Sequence, residues 1–385
     1  MNKRLKILNV VGARPKFMKI APIIKEIRRY QNKIESVLVH TGQHFDREMS
    51  KLFFEDLHLP KPDFYLGVGS ASHAAQTAKI MERFEDVLVK TSPDLVLVVG
   101  DVNSTIACAL CSVKLNIPVA HVEAGLRSFD RTMPEEINRV LTDSISEYLF
   151  TTEKAANKNL LKEGISKDNI YFTGNVMIDT LIGHKKIADR SSTLKRLKLK
   201  KRDYAVLTLH RSSNVDKKHS FVNILEALYE IQREIAIVWP MHPRAEKMLR
   251  QFELDDYILR MPNLRVVSAM GYLEFLKLMA DSRFVLTDSG GIQEETTVLK
   301  VPCLTLRRNT ERPVTVKEGS NIVVGQDRQR IVKEALKIIS GSVKRGKTPE
   351  FWDGSAAKRI VKILLQKLTI ATNPSALGGR VCNKR

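Results

Sequence analysis

Leu95-Val-Leu-Val-Val-Gly100-Asp101 and Val119-Ala-His121-Val-Glu123-Ala-Gly125-Leu-Arg127 flank a helical, Ala/Leu/Val-rich pattern over residues 103–115. Two short apolar runs joined through a helix read as a strand–helix–strand unit, the building block of a parallel sheet covered by helices. Pro134-Glu135-Glu136-Ile-Asn138-Arg139 then opens the next helix. Between His121 and Arg139 carboxylates and guanidiniums alternate, and charges just past a buried strand sit where open α/β sheets bind ligands. The stretch predicts an anionic substrate handled by acid/base chemistry.

The same alternation runs outward in both directions. Lys6–Val11, Ser36–His40, Leu95–Gly100, Val119–Glu123, Tyr148–Thr151 and Ile170–Thr173 read as strands, with helical patterns around 18–30, 47–57, 73–90, 103–115, 135–146 and 154–163 between them. Ala205–Leu209, Ile235–Pro240, Leu264–Val267, Arg283–Thr287, Cys303–Leu306 and Ile322–Val324 repeat the scheme. The chain of 385 residues exceeds the size, roughly 250–300 residues, at which one core stops growing. Two doubly wound, Rossmann-like α/β domains follow, residues 1–180 and 181–355, joined near 180–200. A helix over 356–372 is assigned back to the first domain, and residues 373–385 form a frayed tail. Two such domains aim their strand C-termini into one cleft.

Bulk properties exclude several classes. The longest apolar strings fall far short of the ~20 residues of a membrane helix, and the N-terminus lacks a cleavage pattern, so no membrane or leader role is expected. Four cysteines, Cys108, Cys111, Cys303 and Cys382, are too few for a disulfide scaffold. Cys108 and Cys111 read as helix packing, and the expected compartment is a reducing cytoplasm. The net charge of +20 invites a nucleic-acid reading, but the basic run Lys195–Arg202 carries no interleaved aromatics and no recognition motif accompanies it. It reads as a solvated helix end or linker.

Individual residues sharpen the chemistry. The turn Gly12-Ala-Arg14-Pro-Lys16 lacks the second and third glycines of a dinucleotide fingerprint, which disfavours NAD chemistry; no cofactor is expected. Arg14 and Lys19 supply cations at that helix start. Thr287-Asp-Ser289-Gly290-Gly291-Ile-Gln-Glu294-Glu295 places small residues where a strand meets a helix, a site for phosphate. Its two carboxylates suit either a ribose diol or the dipole of a first helical turn. His210-Arg211 and His242-Pro-Arg244 end two successive strands of the second half. No metal-ligand spacing appears, so no metal is required. Asp101, Glu123 and Glu135 converge on the first-domain side; a helix cap explains Asp101 and a first-turn acid explains Glu135 equally well, whereas nothing about strand termination asks for Glu123.

Gly12-x-Arg14-Pro, Gly100-Asp101, His121-Val-Glu123-Ala-Gly-Leu-Arg127, Pro134-Glu135-Glu136-x-Asn138-Arg139, Thr173-Gly-Asn175, His210-Arg211, Asp288-Ser-Gly-Gly-Ile-Gln-Glu-Glu295 and Thr310-Glu-Arg312-Pro313 occur in order. Together they resemble the non-hydrolysing UDP-N-acetylglucosamine 2-epimerases over about residues 5–370. The resemblance implies a GT-B fold, usually a homodimer, and interconversion of UDP-GlcNAc and UDP-ManNAc through elimination of UDP to 2-acetamidoglucal. It implies Asp101, Glu123 and Glu135 as catalytic carboxylates, with acid and base roles unassigned, and His210 beside the diphosphate. Arg14, Ser289, Gly290, Gly291 and Glu295 carry over as UDP contacts, Glu295 to the ribose; Lys19, Arg139 and Arg312 match positions for substrate binding or closure. His242 joins them as a substrate-binding candidate through its strand-end position. Glu136 reads as a first-turn helix acid. Two departures stand out: Ser213 replaces a carboxylate of the family pattern, and the loop around Gln43 and His44, which in relatives helps form a regulatory UDP-GlcNAc site, is altered. Rival readings are the same chemistry on another UDP sugar such as a 2,3-diacetamido uronate, a GT-B glycosyltransferase, and a nucleic-acid-binding protein.

Overall fold

The computed structural model describes residues 4–12, 14–42 and 56–372, apart from the side chains of Arg14, Pro15 and residues 370–372. The helical pattern expected over 47–57 therefore lies almost wholly outside the described residues. The first half builds a parallel sheet from β1 (Leu5–Val11), β2 (Ile34–His40), β3 (Phe64–Tyr65), β4 (Leu95–Val99), β5 (Val119–Ala124), β6 (Tyr148–Thr151) and β7 (Ile170–Phe172). Its seven strands lie in the order β3-β2-β1-β4-β5-β6-β7. The second half uses β8 (Tyr204–Thr208), β9 (Ala236–Pro240), β10 (Leu264–Val267), β11 (Phe284–Thr287), β12 (Cys303–Thr305) and β13 (Asn321–Val323), in the order β10-β9-β8-β11-β12-β13. This is the two-domain GT-B architecture. Among the strands of the described residues only β3 escaped the sequence reading, because two edge residues carry no periodicity.

Helices cover both faces, so central strands need apolar side chains at every position rather than at alternate ones. All five residues of β4 are buried accordingly. Strand order reverses between β1 and β4 in one sheet and between β8 and β11 in the other. The loops at those reversals are Gly12 onward, Gly100-Asp101, His210-Arg211 and Asp288-Ser289, which carry the chemistry-bearing motifs.

The largest apolar cluster crosses from one sheet to the other, running from Ile7, Phe17 and Ile20 through Val176 and Leu181 to Leu276, Val285, Ile360 and Leu364. After the second sheet the chain returns as the helix Ala356–Thr372, which packs on the helices Arg14–Ile27 and Val176–Ala188. Asp179 fixes its start by accepting hydrogen bonds from the Ala356 and Ala357 backbone at 3.1 and 2.7 Å. Such capping satisfies N–H groups that a helix start leaves open. Nearby Gly174 has φ +87°, and a Cβ there would lie 2.0 Å from the Phe351 carbonyl oxygen. Only glycine permits both the backbone conformation and the crossing. Cys108 and Cys111 are buried in the helix Asn103–Lys114, and the basic side chains of 195–202 are exposed. Among the described residues no helix is long and apolar enough to cross a membrane. Gly174→Ala is expected to destabilise the protein by about 2–4 kcal/mol. A denaturant midpoint unchanged from wild type contradicts that account.

Candidate active site

The helix Arg14–Ile27 points Lys16 and Lys19 toward the ends of β4 and β5. Lys16 Nζ lies 3.2 Å from Asp101 Oδ1, and Lys19 Nζ is ion-paired with Glu123. Arg139, one residue type the helix Pro134–Ile145 buries completely, pairs its Nη2 with Asp101 Oδ2 at 2.6 Å. Burial opposes ionisation of Asp101, yet Lys16, Arg139 and Lys19 outweigh it and hold the carboxyl well below its usual range. Burial likewise opposes the Glu123 charge, and Lys19, Arg312 and Lys16 reverse the balance. Burial, with Lys19 adding to it and Asp101 opposing, brings Lys16 down to about 8. Asp101 caps no helix: Val102 holds the N-cap position of the following helix without a side-chain bond.

Glu123 occupies an unusual backbone position. Its φ is +72°, and the β5–β6 register shifts between Val122 and Ala124, so it sits in a bulge. A left-handed non-glycine residue persists only where its surroundings over-determine it, and bulges re-aim side chains. Here the side chain turns toward Lys19 and Arg312. Gly100 opposite has φ +68°, and a Cβ on it would fall 1.8 Å from Lys16 Nζ and 3.0 Å from Glu123 Oε2. Glycine therefore leaves the room in which Lys16 pairs with Asp101 beside Glu123.

Much of the 121–139 charge cluster is scaffold. His121 sets Nδ1 2.6 Å from Asp143 and Nε2 2.7 Å from the Gly100 carbonyl, tying β5 to the β4 turn. Arg127 lies between Asp143 and Glu163. Glu136 is more than a first-turn acid. It is buried and accepts from Ser128 N, Ser128 Oγ, Phe129 N and Arg139, fastening the loop after β5. Glu135, half-buried, makes no hydrogen bond or ion pair with a described residue.

On the second domain, buried Asp288 accepts from the His210 and Arg211 backbone and from Asn214. It also holds His210 Nδ1 at 2.8 Å, which leaves Nε2 of the half-exposed ring for the cleft. Burial opposes this charge, but His210 and these donors bring Asp288 to about 2. His242 caps the helix Pro243–Gln251, and its ring centroid lies 5.7 Å from that of His210. Ser289 is the N-cap of the helix Gly290–Leu299, whose first-turn N–H groups favour an anion. A Cβ on Gly290 would meet Glu311 Oε1 at 2.9 Å, and one on Gly291 would meet Met177 Cε at 3.3 Å.

Glu294 and Glu295 lie beyond the first turn of that helix, against the dipole reading. Glu294 instead pairs with Arg312 Nε at 2.5 Å, and Arg312 Nη2 reaches Glu123 Oε1 at 3.5 Å. Arg312 thus joins the two domains. Glu295 accepts a 2.9 Å hydrogen bond from Tyr272, while burial, reinforced by Glu294, pushes its carboxyl up to about 8. Burial also raises Glu153 to about 8, with Glu294 adding to it and Arg312 opposing. Ser213 makes a backbone contact with Gln326 and leaves no ion pair in place of the missing carboxylate.

The structure therefore groups Asp101, Glu123, Lys19, Arg139 and Arg312 in one network, and His210, His242, Ser289, Gly290, Gly291 and Glu295 around the β8 and β11 ends. Gln43, His44 and the Arg14 side chain lie outside the described residues. Sequence reading missed Lys16, Asp143, Glu153 and Glu311 as participants. For Lys16 the signal was present, since it sits three residues before Lys19 on one helical face.

A family model described as UDP-N-acetylglucosamine 2-epimerase matches residues 25–365. The chain belongs to that family. It is 45% identical over 365 residues to a Methanocaldococcus jannaschii UDP-N-acetylglucosamine 2-epimerase, covering 94% of this chain and 99% of that protein. A crystal structure of the M. jannaschii UDP-GlcNAc 2-epimerase with UDP-GlcNAc and UDP superimposes with a TM-score of 0.88, covering 94% of this chain and all of that one. A Pseudomonas aeruginosa UDP-2,3-diacetamido-2,3-dideoxy-D-glucuronate 2-epimerase is 40% identical over 364 residues, 94% of this chain and 99% of that protein. In this chain Gly100-Asp101, His210-Arg211 and Asp288-Ser289 fall on the loops where the sheets reverse order, and His121–Arg127 ends the neighbouring β5.

The protonation of Glu295 has a measurable consequence. Its carboxyl binds a proton in the folded protein up to about pH 8 but releases it near 4.5 in the unfolded chain. Its stabilisation is therefore complete below about pH 4.5 and declines as pH rises through 8. The difference in unfolding free energy between wild type and Glu295→Gln is expected to move against wild type over that window. A pH-independent difference contradicts it.

Proposed function

We propose that this protein interconverts UDP-N-acetylglucosamine and UDP-N-acetylmannosamine without net hydrolysis. The observation that carries the reading is the opposition of two half-sites. Carboxylates and cations cluster at the ends of β4 and β5, His210 and the Gly290 helix N-terminus stand at the ends of β8 and β11, and Arg312 bridges the two domains to Glu123. The C2 proton of the sugar has no adjacent carbonyl, so direct removal at neutral pH is prohibitive. Elimination avoids that barrier. A carboxylate takes the C2 proton, the C2–H electrons form the C1=C2 bond, and the C1–O bond breaks to release UDP. Re-addition of UDP to C1, with a proton delivered to the other face of C2, gives the epimer.

Each part of the site supports one requirement. Asp101, Glu123 and Glu135 are the candidates for proton transfer, where a placed acid or base contributes about 10²–10⁴ in rate. His210, Ser289, Gly290 and Gly291 hold the diphosphate, together with Arg14, and stabilise its growing charge. Glu295, carrying its proton, has a donor for a ribose hydroxyl. Lys19, Arg139 and Arg312 set the charge balance around the sugar, and His242 sits beside His210 at the phosphate end. The closed arrangement keeps glycal and UDP together until recombination. We further infer a homodimer, for which the exposed Ile137 and Leu141, one turn apart on one helix, offer apolar surface; sedimentation at dilute concentration distinguishes dimer from monomer.

Incubation with UDP-GlcNAc in D₂O, followed by NMR, is expected to yield UDP-ManNAc with deuterium at C2. Absence of both exchange and the manno isomer at saturating substrate overturns the proposal. The uronate relative makes UDP-2,3-diacetamido-glucuronate the second substrate to test; exchange on that sugar alone reassigns the specificity. Glu135→Gln is expected to slow exchange at least 100-fold with UDP affinity within threefold of wild type. Unchanged turnover removes Glu135 from the proton transfers.

A further inference from the structure

A cavity of about 440 Å³ opens on the second domain beyond the ends of β12 and β13, and its lining meets the site described above at Gln326, which donates to the Ser213 carbonyl. Two helices begin there: Lys218–Ile231, with His219 in its first turn, and Arg328–Ile339, capped by Asp327. At 14 and 12 residues both are long enough to present about half a positive charge at their N-termini. Gly325, with φ +75°, turns the chain between β13 and the second helix.

Arginines complete the lining. Arg308 and Arg330 are exposed and form no ion pair with a described residue. Arg307 is 95% buried, its exposure being 5%, and its Nη2 pairs with Glu311 at 2.7 Å. Its Nη1 is buried and makes no hydrogen bond with a described residue. A buried guanidinium nitrogen without an acceptor is costly unless a ligand or water supplies one. The single carboxylate in the lining, Asp327, already accepts from the Arg330 backbone at 2.8 Å. The cavity is therefore strongly and asymmetrically cationic.

We propose that this cavity is a second anion site, built for a small molecule carrying a phosphoryl group. Phosphate oxygens match the planar fork of arginine and the N–H groups of helix starts, and two helices plus three guanidiniums exceed what a simple carboxylate needs. The volume admits a phosphorylated metabolite larger than inorganic phosphate. The site also communicates inward. Arg307 holds Glu311, Glu311 neighbours Arg211 at 3.6 Å, and the next residue, Arg312, pairs with Glu123. An anion held against Arg307 acts on the loop that bridges the two domains.

The test uses inorganic pyrophosphate as probe, by calorimetry at fixed ionic strength, on the full chain. Wild type, Arg308→Glu/Arg330→Glu and His210→Ala are titrated side by side, because pyrophosphate also resembles the diphosphate of the proposed substrate. The expected result is saturable binding that weakens at least tenfold in Arg308→Glu/Arg330→Glu and persists in His210→Ala. Binding retained by the arginine double variant but lost in His210→Ala places the anion in the nucleotide cleft and overturns the proposal. No saturable binding to wild type overturns it as well. Because the readout is binding rather than turnover, failure of the epimerase reading leaves this result interpretable.

Discussion

The Arg312 guanidinium, buried between Glu123 of the first domain and Glu294 of the second, is the interaction on which the cleft depends. Three charges in that environment are tolerable only together. Removing one leaves the others desolvated without a partner, a loss of about 3–5 kcal/mol. Lys19 extends the network on the first-domain side, and Glu311 with Arg307 extends it on the second. The ion pairs therefore set the approach of the domains, while the apolar cluster around Ile20, Leu181 and Ile360 supplies the burial energy behind it.

A second constraint acts within the first domain. Glu123 sits at φ +72° in a β-bulge, and Gly100 leaves space for Lys16 beside it. The bulge turns a carboxylate from the body of a buried strand to its mouth. It also separates the three candidate carboxylates by environment. Glu123 is enclosed by cations, Asp101 is shared between Lys16 and Arg139, and Glu135 has no cationic partner among the described residues. The cations around Asp101 and Glu123 outweigh burial and hold both carboxyls below their ordinary range.

The strand periods of Leu95–Val99 and Val119–Glu123 made the parallel sheets legible, since buried β-branched runs have few alternative readings. The ligand edge was legible for the same reason: charges following such runs mark strand C-termini. Roles inside the 121–139 cluster were not. His121, Arg127 and Glu136 carry the same groups as a site, yet they tie strands and loops through Asp143, Glu163 and Ser128, partners 8–36 residues away. In sequence Glu294 and Glu295 suit either a ribose diol or a helix dipole, and their partners Arg312 and Tyr272 across the fold are not visible there. Long-range pairing of charges follows topology, which residue types do not encode locally.

The central claim is that Glu123 and Arg312 act as one unit across the domain boundary. A double-mutant cycle on the rate of C2 hydrogen exchange, using Glu123→Gln, Arg312→Gln and both together, measures it directly. The account predicts that the double variant is no slower than the slower single variant. A double variant slowed by the product of the two single factors would show independent residues and contradict it.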